Sequence, residues 1–170
     1  MEQTVSQLLF IAGEYTTCCY LGLLLLAIVS ERRLTSVSVT MAVVALSACV
    51  ASLAVTPLYK WASDEHVLSK FSWYGSWMVL NLLALWLLIS LHRTLGLRVS
   101  RMGLASAAAL VLLVVLQAID FIDVATVQSN LFAPIYQLGV LSVNVGLIPL
   151  LLFYWLQELS IRKSIRLGAV

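Results

Sequence analysis

The sequence predicts an all-α integral membrane protein: a bundle of about five transmembrane helices in a single domain, residues 1–170. Three observations predict it. The chain is 62% hydrophobic and only 11% charged, its mean hydropathy is +1.01, and its apolar residues fall into five runs separated by short polar connections. Ordinary globular chains are about 45–50% apolar and about 25% charged. A chain of 170 residues cannot hide so large an excess inside itself, and lipid is the solvent that tolerates it.

A helix needs about 20 apolar residues to cross the bilayer core. The runs place spans at roughly 7–30, 36–58, 72–92, 103–124 and 132–157. The N-terminal residues Glu2, Gln3 and Thr4 carry no basic run, and no small-residue cleavage site precedes Glu31-Arg32-Arg33. The expectation is a first span that inserts with its N-terminus outside, without a cleaved signal peptide. Basic residues then follow the first span (Arg32, Arg33), the third (Arg93, Arg98, Arg101) and the fifth (Arg162, Lys163, Arg166), while the other connections hold only Lys60 and Lys70. The positive-inside rule makes the arginine-bearing side cytoplasmic. An odd number of spans, N-out and C-in, satisfies every loop, and the expected location is a bacterial inner (cytoplasmic) membrane.

Aromatic residues fit that frame. Tyr59, Trp61, Trp73, Tyr74 and Trp77 gather at the outer ends of spans two and three, and Tyr154 and Trp155 lie near the inner end of span five. Rings of this kind prefer the membrane interface, so they read as belts.

Between helices in lipid, close packing replaces the hydrophobic drive, and small residues permit it. Ser38, Ala42, Ala45, Cys49, Ser52 and Thr56 recur at alternating spacings of four and three, which makes one continuous packing seam on span two. Gly139, Ser142 and Gly146 form a second on span five, and span four opens with Gly103 and a run of alanines. Pro149 removes one backbone hydrogen bond inside span five and is expected to bend it.

Ionisable and amide side chains inside a span are costly and therefore candidates for function. Glu14 lies in span one, about 10 Å below the outer edge at 1.5 Å per residue. Asn81 lies about 12 Å down span three by the same rise. Gln117, Asp120 and Asp123 follow one another along one side of span four, and Gln137 and Asn144 share a face of span five. Two readings are open. In one, Glu14 and Asp120 carry the charge of a water-accessible acidic pocket in the outer half, with the amides orienting them, and bind a proton, a cation or a cationic ligand. In the other, these groups only hydrogen-bond between helices, and Asp120 and Asp123 sit at the headgroup layer.

Chemistry motifs are lacking. There is no phosphate-binding GxxxxGK[ST], no HExxH and no GxSxG. His66 and His92 fall on opposite sides of the membrane and cannot share a metal. Cys18, Cys19 and Cys49 all lie in apolar stretches without ligand or disulfide spacing, and act as small hydrophobes. The net charge of +2 is too scattered for nucleic acid. No enzyme activity, cofactor or metal is therefore expected. The first functional expectation is a non-enzymatic protein that works by helix assembly, as a subunit, sensor or anchor of a membrane complex. Its partners would be membrane lipids and either a second copy or another membrane or cytosolic protein. The basic rim of Arg93, Arg98, Arg101, Arg162, Lys163 and Arg166 either holds anionic lipid or an acidic partner, or merely sets topology. The alternative is a small proton- or cation-linked transporter or channel using the acidic site.

Overall fold

A computed structural model of the chain describes residues 2–31, 34–62, 67–126 and 132–166, with side chains described for 11, 13–31, 34–62, 71–126 and 132–161. The Asp64, Glu65 and His66 segment and Arg32 and Arg33 lie outside the described residues. Five helices follow in chain order: α1 (Glu2–Glu31), α2 (Ser36–Ala62), α3 (Val67–Thr94), α4 (Arg101–Thr126) and α5 (Ala133–Arg166). Each contains a stretch long and apolar enough to cross a membrane.

The helices overrun the apolar runs that mark them. α2 continues through Pro57 to Ala62, and α5 continues through Pro149 to Arg166. Hydropathy sets where a helix is immersed, whereas backbone hydrogen bonding carries it on into polar sequence.

Chain neighbours pack against one another, α5 closes the ring against α1, and α2 reaches across to α4. The pairings Ser36 with His92 and Tyr74 with Asp120 fix α2 against α3 and α3 against α4 as antiparallel. The bundle therefore has a His92 end, which holds the α1–α2 and α3–α4 connections, and an opposite Asp120 end.

The tightest packing is at the His92 end. Val37 through Met41 and Val43 through Ala45 are all buried, so the first turns of α2 are enclosed on every side. Tyr20, Leu23 and Ala27 of α1, Met102 of α4 and Leu147, Leu151 and Trp155 of α5 pack around them. A second cluster joins Val43, Ala84, Leu88 and Leu110. Trp155 is only 8% exposed, so it is a core residue and not part of an interfacial belt. Large apolar side chains cover the perimeter instead, with Leu25, Val29, Leu53, Trp86 and Leu138 all more than half exposed. A soluble monomer rarely exposes apolar surface on that scale. These features support a multi-pass membrane protein.

Local sequence explains the helix ends. Thr35 and Ser38 form a reciprocal cap on α2: the Thr35 N–H donates to Ser38 Oγ at 2.8 Å, and the Ser38 N–H donates to Thr35 Oγ1 at 3.2 Å. This is a capping box with serine in the place usually taken by glutamate. Ser100 caps α4 by accepting the Gly103 N–H at 3.2 Å. α3 ends at Gly96, whose φ of +62° lies in the left-handed region. The Leu97 N–H reaches the His92 carbonyl at 2.9 Å and the Gly96 N–H reaches the Arg93 carbonyl at 3.1 Å, a Schellman closure. Gly96→Ala is expected to cost about 1–2 kcal/mol, read as earlier unfolding in a detergent titration.

Candidate functional site

In the antiparallel pairing of α3 and α4, early residues of α3 face late residues of α4. Tyr74 and Asn81 of α3 thereby meet Asp120 and Gln117 of α4. The Tyr74 hydroxyl donates to Asp120 Oδ2 at 2.8 Å. Asn81 Nδ2 donates to the Trp77 carbonyl at 3.0 Å and, more weakly, to Gln117 Oε1 at 3.4 Å. Asp120 is 1% exposed and Gln117 4%. The second carboxylate oxygen of Asp120, Oδ1, is buried with no hydrogen-bond partner among the described residues. Aromatic rings wall this end: the Tyr74 ring lies 5.8 Å from Phe121 and 6.0 Å from Tyr136, and Phe71 lies 5.6 Å from Phe121.

The other polar candidates are placed elsewhere. Glu14 is exposed on α1, a helix that packs against α2 and α5, so it stands apart from the α3–α4 cluster. Its helix is pinned by neighbouring hydroxyls: Thr17 Oγ1 and Ser52 Oγ are 2.8 Å apart, which puts the α2 seam against α1 at this level. Asp123 is half-buried and accepts the Phe132 N–H at 3.4 Å. Gln137 is half-buried on α5. Asn144 turns its amide back along α5 to the Val140 carbonyl at 2.8 Å, while its own backbone carbonyl accepts the Tyr20 hydroxyl at 2.5 Å. The structure thus brings together Asn81, Gln117 and Asp120. It does not bring Glu14 or the Asn144 side chain to them.

Along the α2 seam, Ser38 and Ala45 are buried, Ala42, Cys49 and Ser52 are half-buried, and Thr56 is exposed. Arg93, Arg98 and Arg101 are exposed at the His92 end. The side chains of Arg162, Lys163 and Arg166 lie outside the described residues.

Two residues carry more of the polar structure than their sequence context announces. Tyr74 belongs to the aromatic group at the start of α3, yet its hydroxyl is the partner of Asp120. His92 is 2% exposed and ties three segments together. Its Nε2 is 2.8 Å from Ser36 Oγ and its Nδ1 is 2.7 Å from the Leu88 carbonyl. Ser36 Oγ also accepts the Ser100 N–H at 3.0 Å. These contacts fit one neutral tautomer, in which Nδ1–H donates to Leu88, and Ser36 donates to Nε2 while accepting from Ser100.

Two open grooves mark the perimeter. One, of about 730 Å³, runs between α2 and α3 and is lined by Val50, Ala54, Pro57, Trp61, Trp77 and Leu80 among others. The other, of about 250 Å³, runs between α4 and α5 along Ala108, Ala109, Ser142 and Gly146. Neither is lined by Asp120. Among the described residues no three His, Cys, Asp or Glu side chains group as metal ligands. In comparisons with known proteins, no family model matches the chain, no curated protein matches it, and no solved structure matches it.

Proposed function

We propose that the chain is a non-enzymatic multi-pass protein of a bacterial inner membrane, N-terminus outside and C-terminus in the cytoplasm, that works by helix assembly as a subunit, sensor or anchor of a membrane complex. One observation carries this reading: a small-residue groove that the chain itself leaves empty. A side chain built on Gly103 or Gly139 would meet Thr40 or Leu116 at 3.3 Å or less, whereas one on Gly146 would meet nothing within 4 Å. Ala108, Ala109 and Ser142 extend that open strip. Small residues in membrane helices permit backbone-close association, and at Gly146 no helix of this chain uses it. The test is native mass measurement of the protein extracted in mild detergent, wild type against Gly146→Leu. The expected result is a particle larger than one chain, or a co-purifying partner, that is lost in the variant. A strictly monomeric wild type without partner would contradict it.

A second reading, a small proton- or cation-linked transporter or channel, is favoured by the buried Asp120 carboxyl and its unpartnered oxygen. It expects flux in liposomes that Asp120→Asn abolishes and Glu14→Gln leaves unchanged, because Glu14 is exposed and remote from α3 and α4. Absence of flux under every ion gradient would remove it.

A further inference from the structure

We propose that Asp120 is a reversible proton-binding site, and that the Tyr74 hydroxyl is its positioning partner. This rests on the acidic-site reading above but not on transport, since a carboxyl binds and releases a proton whether or not the bundle moves ions.

Asp120 is 1% exposed, its Oδ2 accepts the Tyr74 hydroxyl, and its Oδ1 is buried and unpartnered. A carboxylate enclosed in this way needs a compensating positive charge or a proton, because a lone charge in a low-dielectric interior is strongly disfavoured. The elements packed around it offer no such charge among the described residues. α3 presents Tyr74, α5 presents Tyr136, and α4 itself adds only Asp123, one turn further along. α2 approaches α4 near Gly103 at the opposite end, and its Lys60 is exposed.

The geometry also selects among cations. Hard metal ions demand six or more oxygen ligands at short range, and among the described residues no three His, Cys, Asp or Glu side chains group together. An organic cation needs a cavity, and Asp120 does not line either of the two grooves described above. A proton needs no volume. Binding forms one O–H bond from a carboxylate lone pair and a proton supplied by water, and release reverses it. Both states can use the 2.8 Å contact with Tyr74. The phenol donates to the carboxylate, or it accepts from a carboxyl proton on Oδ2, leaving Oδ1 as a carbonyl oxygen without charge. Protonation leaves a neutral hydrogen-bonded pair. Release leaves a carboxylate whose charge is shared by both oxygens, with Oδ1 lacking a partner among the described residues.

The test is infrared spectroscopy of the full chain in liposomes, titrated over the pH range in which it stays folded. The expected result is a carboxylic-acid C=O band that fades as pH rises, is lost in Asp120→Asn, and persists in Asp123→Asn and Glu14→Gln. Tyr74→Phe should keep the band but shift its frequency. A band unchanged by Asp120→Asn, or one that does not vary with pH, overturns the proposal. If Asp120→Asn does not fold, Tyr74→Phe decides: an unshifted band overturns it. A titrating Asp120 band without ion flux would remove transport alone, and loss of the proposal would leave the co-purification result untouched.

Discussion

His92→Ala is expected to lower the stability of the bundle by about 3 kcal/mol, the sum of a buried cavity and lost polar contacts. The side chain is among the largest fully buried ones. Its ring joins the end of α3 to the first residue of α2, and Ser36 in turn holds the Ser100 N–H just before α4. His92→Leu restores most of the volume but neither hydrogen bond. It should therefore retain the packing share and lose only about 1–2 kcal/mol, the scale of polar contacts between membrane helices. Reversible unfolding in mixed detergent micelles, followed by circular dichroism, measures both. An alanine variant as stable as wild type would show that the histidine node does not hold this end together.

Gly103→Leu is the second large effect, also about 3 kcal/mol and at the upper end of overpacking costs. A Cβ at Gly103 would lie 2.8 Å from Val99 Cγ1 and 3.3 Å from Thr40 Oγ1. Val99 is 46% exposed and can turn away, but Thr40 is fully buried, with its hydroxyl donating to the Ser36 carbonyl at 2.8 Å. Alanine asks Thr40 to yield a few tenths of an ångström, and should cost about 1 kcal/mol or less, since leaving glycine also lowers the backbone entropy lost on folding. Leucine must push α2 and α4 apart. Gly146→Leu is the internal control, because nothing lies within 4 Å of its added carbon. Its monomer should unfold like wild type while its assembly is lost. The same detergent titration reads all three, and a Gly103→Leu variant unfolding with wild type would contradict the close α2–α4 approach.

The five helices were legible because a membrane span is a one-dimensional property: a run of sufficient length and apolarity declares itself. Which way each residue faces is a matter of azimuth, and a helix apolar on all sides carries little information about it. Trp155 illustrates the gap. Its position in the chain suggested an interface, and its azimuth put it in the core beside Leu151. Glu14 illustrates it again, since its depth matched that of the α4 acids while its helix lies on the other flank of the ring. Gln117 and Asp120 were readable as a pair from their spacing. Their partners were not, because Tyr74 looked like one more interfacial ring and Asn81 like an isolated amide. The His92 node was hidden for a different reason. Its partners are the Ser36 hydroxyl and a backbone carbonyl, and a serine in an apolar chain looks the same whether it packs or bonds.

The His92 and Asp120 ends of the bundle are expected to lie on opposite sides of a membrane. The most direct test is labelling of single cysteines by an impermeant maleimide, in a background carrying Cys18→Ala, Cys19→Ala and Cys49→Ala. Thr126→Cys marks the Asp120 end and Arg98→Cys the His92 end, and both positions are exposed. Thr126→Cys should react in intact cells, and Arg98→Cys only after the membrane is permeabilised. Reaction of both in intact cells, or of neither, would contradict the five-span arrangement.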